Sequence, residues 1–377
     1  MRIIFKAIFV LFLLMLSTIA YFAYDRRNAP IQFTPYPYHL DYQLTQDLSE
    51  YENAHILILG GKLGQTFSRY QAQLATRLSK GIKTPLKIAN WSGEGESAHR
   101  SLFKLRQLKK FPPVIIYVAP SEGFFEKKFY LNEFKKIFFN FKIVANPNIS
   151  SLIMAVPFLS KFLFRQVKLQ QLSETILPQN LDEIPNQGIQ TFHQIHFLLL
   201  EKELEEISAL VREKESNLIF ITAPVNLDIA PKKICESTTS NTLFNYLQEI
   251  KSSIKDGVYK ENYNKLQELK SITVAHPEVY YLLGTAAREI GRIEEARSNL
   301  ILAQAYDCQI DRPNPVINAI EKKVAARYGH TLLDFDLQVS GHYGKDVTFL
   351  NELTPQDVYY QRLMDNLYSS LKKILKI

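Results

Sequence analysis

The sequence predicts an α/β fold in which a parallel β-sheet carries helices on both faces. Short apolar runs alternate along the chain with longer segments of helical periodicity, and several of the apolar runs end at a glycine or a proline. Parallel strands need long crossover connections, which are usually helices, so this alternation is typical of a parallel sheet. With 377 residues, of which 46% are hydrophobic and 22% charged, the chain is long enough for one large domain with an insert.

Residues 1–27 are predicted to be an N-terminal membrane anchor. Residues 7–24 form an uncharged, largely apolar run, and a helix of that length spans most of a hydrocarbon layer about 30 Å thick. A cleaved signal peptide is the alternative, because residues 18–20 loosely resemble a small-x-small cleavage site. The length of the run and the tyrosines near its end, Tyr21 among them, favour the anchor. We therefore expect attachment to the inner membrane, a tether over residues 28–53, and the bulk of the chain in the periplasm or another extracytoplasmic space.

Five strands are predicted in the α/β domain, whose two parts cover residues 54–240 and 309–377. The predicted strands are residues 55–59, 86–90, 114–119, 217–223 and 331–334, and residues 355–376 are predicted to close the chain as a helix. In a parallel sheet, ligands bind beyond the carboxyl ends of the strands. We therefore expect the functional site in the loops that begin near Gly60, Asn90, Ala119 and Thr222.

A helical cap is predicted for about residues 124–200. Its first part, residues 124–142, interleaves phenylalanines with lysines. A basic amphipathic helix lying on a membrane is one interpretation. We favour a cap that packs its phenylalanines onto the domain and leaves its lysines in solvent.

Residues 241–308 are predicted to form an all-α insert that resembles tetratricopeptide repeats (TPR-like). The residues at the spacing of the 34-residue repeat are Tyr280, Leu283, Gly284, Gly291, Ala296, Leu300 and Ala303. Gly257 and Leu266 precede Gly291 and Leu300 by the same interval. Small residues such as Gly284 would let two antiparallel helices approach closely. The pattern predicts two helix pairs docked on the α/β domain, and a surface for a protein partner.

Composition argues against several functions. The net charge of +7 is spread along the chain and no nucleic-acid-binding motif is present, so no nucleic acid partner is expected. The two cysteines, Cys235 and Cys308, are far apart and not in a CxxC motif, which argues against a thiolate metal site and leaves a single disulfide open. His193 and His196 lack a nearby acidic third ligand, so a packing or surface role is favoured over metal binding. We expect no metal and no cofactor.

Several short motifs follow one another in a fixed order. A glycine turn ends the first strand, and after it come Asn90-x-x-Gly93, Tyr117-x-x-x-x-Glu122, Ile221-Thr-x-Pro-x-Asn226-Leu227, and Pro355 at the last helix. This order resembles the SGNH (GDSL-type) hydrolases, in particular the branch with TPR-like helices before the final motif, over about residues 54–370. The resemblance implies a flavodoxin-like parallel sheet. It also implies a serine nucleophile after the first strand, a glycine and an asparagine that bind the oxyanion, and a C-terminal Asp-x-x-His.

At the catalytic positions that this resemblance implies, the chain carries other residues. Lys62 stands at the position of the nucleophile, Asn351 at that of the aspartate and Thr354 at that of the histidine. Neither asparagine nor threonine can act as a general base near neutral pH. Lys62 could offer charge to an anionic ligand or act as a base of lowered pKa if desolvated, but an amine that reaches into solvent is favoured. The implied pocket, with Ser121 at the asparagine position, consists of Gly61, Gly93, Ser121, Glu122 and Asn226.

The sequence therefore predicts a catalytically inactive pseudoenzyme that binds an envelope glycan, an acylated ligand or a protein partner. The alternative is an esterase, O-acyltransferase or deacetylase that acts on cell-envelope polysaccharide with a relocated triad. In that alternative, Ser121 is the nucleophile and His342, near Asp346, is the base. Ser97 and His99 are two positions apart on a predicted helix and are not expected to pair.

Overall fold

A computed structural model describes residues 2–25, 47–80, 85–122, 188–232, 241–273, 275–309 and 311–377, and single residues at 126, 146, 149 and 152. The chain divides into two compact units. One comprises residues 1–46 and 127–177, and the other comprises residues 47–126 and 178–377.

In the first unit, Arg2–Asp25 form a single helix, α1. The described apolar side chains of α1 are largely exposed, Leu11 for example at 69%. Among the residues whose placement is described, no helix is both long and apolar enough to cross a membrane. Most of the predicted tether and most of the predicted cap lie outside the described residues.

The second unit is built on a five-stranded sheet. Its strands are β1 (Ile56–Gly60), β2 (Ile88–Asn90), β3 (Val114–Val118), β4 (Asn217–Ile221) and β5 (Thr331–Leu333). They lie in the order β2-β1-β3-β4-β5, and every neighbouring pair is parallel. This is the flavodoxin-like, doubly wound order. The prediction of a parallel α/β fold is confirmed.

Helices cover both faces of this sheet. They are α2 (Ser49–Glu52), α3 (Lys62–Thr66), α4 (Ser68–Ser79), α5 (Ala98–Gln107), α6 (Ile189–Glu213), α11 (Pro315–Tyr328), α12 (Phe335–Ser340) and α13 (Asp357–Leu375), with four further helices in the insert. On one face, alternate strand residues such as Ile58 and Ile116 pack with Leu74 of α4 and Leu367 of α13. On the other, α6 packs between α5 and α11. Every residue of β1 and β3 is buried, which explains why these strands are unbroken apolar runs in the sequence.

The insert contains four helices among its described residues. They are α7 (Asn241–Lys255), α8 (Tyr259–Ile272), α9 (Pro277–Glu289) and α10 (Ile293–Tyr306). A Cβ on Gly284 would lie 2.6 Å from Cγ of Leu300, so the glycine permits the close packing of α9 on α10. The apolar core of the insert includes Val225 and Leu227 from the loop after β4, and Tyr343 from the loop after α12. The insert is therefore packed on the α/β domain, and its relation to tetratricopeptide repeats remains a prediction.

Candidate functional site

The loop after β1 lies against the loop after β3 because it begins with two glycines. Gly60 has a φ of +131°, and a Cβ there would clash with the carbonyl oxygen of Val118. A Cβ on Gly61 would lie 2.7 Å from Oε2 of Glu122. Larger residues at these positions would force the two loops apart. Since Gly60, Val118 and Ile221 are in register, the loops after β1, β3 and β4 open on one edge of the sheet.

The carboxylate of Glu122 accepts hydrogen bonds from the surrounding loops. The backbone N–H of Lys62 donates to its two oxygens at 3.2 and 3.4 Å. Its own backbone N–H, the N–H of Gly95 and the hydroxyl of Ser121 lie near enough to lower its pKa. Burial raises the pKa of Glu122, and these donors act in the opposite direction. Donors that could hold the oxyanion of a substrate therefore hold a carboxylate of the protein itself.

The side chain of Lys62 is half exposed and pairs with Glu94. Its Nζ lies 2.7 Å from Oε1 of Glu94, and the two side chains are 52% and 64% exposed. The hydrogen bond to Glu94 raises the pKa of Lys62. A lysine base needs a lowered pKa, so this arrangement does not favour Lys62 as a base.

The final motif forms a turn against the loop after β4. The amide of Asn226 donates to the carbonyl oxygen of Asn351 at 3.2 Å. Oδ1 of Asn351 accepts the N–H groups of Leu353 and Thr354 at 3.0 and 2.8 Å. Asn351 thus stabilises a turn through its own side chain, as asparagines commonly do. This arrangement gives neither Asn351 nor Thr354 the means to remove a proton from a nucleophile.

His342 is engaged with residues other than Ser121. Its Nδ1 lies 3.0 Å from a carboxylate oxygen of Asp346, and Arg362 donates to its Nε2 at 2.9 Å. The hydroxyl of Ser121 lies near Glu122, whose pKa it lowers. The structure therefore does not place His342 as a base for Ser121.

Ser97 and His99 do pair, contrary to the expectation from their spacing. Oγ of Ser97 lies 2.5 Å from Nδ1 of His99, and Oγ donates to Oε2 of Glu126 at 3.1 Å. Ser97 is the N-cap of α5 with φ −110° and ψ 174°, so it is extended rather than helical and the helical spacing rule does not apply to it. Arg100 donates to Glu126 at 2.7 Å, and the four side chains are all buried.

A second buried ion pair supports the loop after β2. Nζ of Lys104 lies 2.7 Å from Oε2 of Glu96 and also donates to the carbonyl oxygen of Trp91. Burial raises the pKa of Glu96 to about 7 and lowers the pKa of Lys104. Sequence reasoning missed this pair and the Ser97 cluster. The available signal was a helix with Arg100 and Lys104 one turn apart, directly after an acidic loop.

The predicted pocket residues fall into two contact groups at the same edge of the sheet. Gly61, Ser121 and Glu122 lie together, and the N–H of Gly93 donates to the carbonyl oxygen of Gly60 at 3.0 Å. Asn226 belongs to the second group, with Asn351 and Thr354.

The two histidines considered as metal ligands make structural hydrogen bonds. Nε2 of His193 lies 3.1 Å from the carbonyl oxygen of Cys308, and Nδ1 of His196 lies 3.0 Å from that of Phe192. Within the described residues, no group of three or more His, Cys, Asp or Glu side chains is arranged to hold a metal ion.

Comparison with known proteins gives structural neighbours alone. No family model and no curated protein matches the chain. The crystal structure of TesA is 10% identical, with a TM-score of 0.34, over 85% of this chain and 98% of that one. A GDSL-like lipase from Bacteroides thetaiotaomicron is 7% identical, with a TM-score of 0.35, over 87% of this chain and 91% of that one. The fold is assigned from the strand order and register.

Proposed function

We propose that this chain is a membrane-anchored, SGNH-like pseudoenzyme that binds its ligand without chemical turnover. The observation that carries the proposal concerns Lys62, after β1, whose side-chain amine and backbone N–H are both engaged by carboxylates. Lys62 supplies no hydroxyl there, its amine is paired with Glu94, and its backbone N–H is occupied by Glu122. The nucleophile and the oxyanion donors of an acyl-transfer site are thus both lost to catalysis.

The residues at the positions of the catalytic aspartate and histidine, Asn351 and Thr354, give independent support. Asn351 is engaged in its own turn, and Thr354 contributes a backbone N–H to that turn. Without an imidazole beside it, a hydroxyl is a poor nucleophile, so a serine elsewhere in the pocket would not suffice.

The anchor and the compartment belong to the same proposal. The support for the anchor is the uncharged run of residues 7–24, which lies within α1. Cys308 is disulfide-bonded, and disulfides persist in oxidising compartments such as the periplasm. The other cysteine of the sequence, Cys235, lies outside the described residues. We expect the protein to fractionate with membranes and to need detergent for release, and a soluble mature protein that begins near Tyr21 would contradict the anchor.

The ligand we propose is an acylated or charged envelope glycan at the carboxyl edge of the sheet, or a protein partner at the insert. The insert is held on the domain by an apolar core and by polar contacts. Arg288 of α9 pairs with Asp228 at 2.9 Å and donates to the hydroxyl of Tyr343 at 3.3 Å. A partner on the insert would therefore be held next to the loops of the candidate site.

The rival function, an esterase or acyltransferase with a relocated triad, now rests on Ser97, His99 and Glu126. The short contact between Ser97 and His99 favours it. Burial opposes it, because Ser97 is 4% exposed, His99 and Glu126 are 1% exposed, and the carboxylate of Glu126 is bound by Arg100. In our proposal this cluster fixes the start of α5.

A fluorophosphonate probe separates the two functions, since it labels serines that an adjacent base activates. We expect no labelling of the full-length protein in detergent under conditions that label a serine hydrolase. Labelling that is lost in Ser97→Ala and kept in Ser101→Ala, a neighbouring buried serine on the same helix, would establish the rival. Labelling lost in Ser121→Ala would instead restore Ser121 as nucleophile.

Ester hydrolysis gives a second test. We expect the unaltered protein to hydrolyse p-nitrophenyl acetate no faster than a Thr354→Ala control. Restored activity should need Lys62→Ser, Asn351→Asp and Thr354→His together, because members of a triad act as a unit. Activity in the unaltered protein above the control would refute the pseudoenzyme.

A further inference from the structure

A buried carboxyl group lies beneath the sheet with no partner for either oxygen. Glu321 of α11 is 0% exposed, and in the described part of the chain neither Oε1 nor Oε2 has a hydrogen-bond partner. Tyr117 of β3 is also fully buried, and its hydroxyl likewise has no partner among the described residues. Burial raises the pKa of Tyr117, and the charges of Glu321, Glu203 and Glu96 raise it further.

The charged groups around Glu321 would not compensate a negative charge on its carboxylate. Burial raises the pKa of Glu321 well above its ordinary value, and Asp334 raises it further. Lys322 acts the other way, but its Nζ is paired with Asp334 at 2.6 Å. From α6, Glu203 adds a second buried carboxyl whose charge reaches Tyr117.

Five further titratable groups where α6, α11 and β5 meet are paired or neutral. Lys323 pairs with Glu201 at 2.8 Å, and Arg327 pairs with Glu205. Burial lowers the pKa of His330, just before β5, to about 4, so this imidazole is neutral near pH 7. Asp336 of α12 lies near Asn318, and burial raises its pKa to about 6.

We propose that Glu321 is a neutral carboxylic acid in the folded domain, and that its ionisation is a built-in pH switch for the packing of α11 on the sheet. An ionised carboxylate without a partner is strongly disfavoured in a protein interior. The protonated acid carries no charge and can donate one hydrogen bond to an ordered water, so it is tolerated there. Folding therefore takes up a proton.

The switch reaches the candidate site through Asn318, one helical turn before Glu321 on the buried face of α11. Its Oδ1 accepts the N–H of Ala223 at 3.0 Å, and its Nδ2 donates to the carbonyl oxygen of Ala223 at 2.8 Å. Ala223 begins the loop that carries Asn226. Displacement of α11 by an ionised Glu321 would break this clamp and loosen the loop.

The direction of the pH effect follows from the raised pKa of Glu321. Below the pKa of a glutamate in the unfolded chain, both states are protonated and Glu321 imposes no pH dependence. Above it, the unfolded chain ionises while the folded chain keeps its proton, so the folded state loses about tenfold in equilibrium per pH unit until the folded group ionises.

The test compares urea unfolding of the full-length protein with that of Glu321→Gln between pH 5.5 and 7.5. The amide is nearly isosteric and cannot ionise, so we expect the variant to gain up to about 100-fold in folded-state equilibrium relative to the unaltered protein across this interval. Glu294→Gln, whose side chain is 89% exposed, is the matched control and should show no such gain. Parallel pH profiles for Glu321→Gln and the unaltered protein would overturn the proposal.

Two further measurements test the proposal if Glu321→Gln folds poorly. Difference infrared spectra at pH 7 should contain a carbonyl band from protonated Glu321 that is lost in Glu321→Gln, whereas the contribution of Glu96, whose pKa is about 7, should be the same in both proteins. Hydrogen exchange at Ala223, corrected for the intrinsic rate, should lose protection with rising pH in the unaltered protein. In Asn318→Ala that protection should be low at every pH. A missing carbonyl band, or protection at Ala223 that does not change with pH, would refute the switch.

Discussion

Gly284 tests the packing of the insert, because two effects of known size oppose each other at this position. A Cβ there would lie 2.6 Å from Cγ and 2.9 Å from Cδ2 of Leu300, and 3.1 Å from the carbonyl oxygen of Ala296. Replacing an interior helical glycine by alanine stabilises an unhindered helix by about 1 kcal/mol. Overpacking costs about 1–3 kcal/mol. We therefore expect Gly284→Ala to be neutral or destabilising by up to about 2 kcal/mol, although helix propensity alone predicts the opposite sign.

Removing the obstructing side chain should reverse the sign. Leu300→Ala alone should cost about 2–5 kcal/mol, because it deletes a fully buried leucine. In the Leu300→Ala background, Gly284→Ala meets no Cγ and should stabilise the protein by up to about 1 kcal/mol. The exposed Ser298→Ala on the same helix is the control and should change stability by less than about 0.5 kcal/mol.

Urea unfolding followed by two probes measures these effects. Circular dichroism reports all helices, whereas the fluorescence of the single tryptophan, Trp91, reports the α/β domain, where it stacks on Tyr51. Coincident transitions would mean that insert and domain unfold together. A Gly284→Ala protein more stable than the unaltered one would refute the close approach of α9 and α10.

Two smaller predictions concern the candidate site. Glu94→Ala should lower the free energy of unfolding by at most about 1 kcal/mol and by less in 1 M salt, since the pair with Lys62 is exposed, and a larger or salt-independent loss would mean the pair is buried. Gly61→Ala should destabilise the protein by about 1–3 kcal/mol in urea unfolding, because its Cβ would displace the carboxylate of Glu122; an unchanged midpoint would show that the carboxylate does not occupy this position.

The sheet was predictable because the burial of its strands restricts which residue types occur along them. Strands buried on both faces must be apolar at every position, as residues 114–118 are, and glycine ends the first strand where a Cβ would strike its neighbour. The four helices of the insert were predictable for a similar reason, since close helix packing restricts residue types at fixed intervals.

The buried charges were not predictable, because they depend on contacts between distant segments. Glu126 meets Arg100 across 26 positions of sequence, and no periodicity connects them. Ser97 was misjudged because a spacing rule for helices was applied to a residue that lies just outside the helix. Glu321 reads as an ordinary helical glutamate in the sequence, and only its depth in the fold distinguishes it.

Two sets of residues at this site are under different physical constraints. The first set is the motifs that resemble those of a hydrolase, and the second is the residues that differ from a hydrolase at the catalytic positions. Gly60 and Gly61 are required by the approach of two loops, whatever chemistry the site performs. Glu122 joins those loops through hydrogen bonds, so it too serves the backbone. At Lys62, by contrast, the side chain is half exposed, and the fold itself demands no particular residue there. The order of motifs can therefore identify the fold while a lysine stands at the position that the resemblance assigns to the nucleophile. For this chain, a functional assignment has to come from the side chains at the mouth of the site rather than from the glycines that shape it.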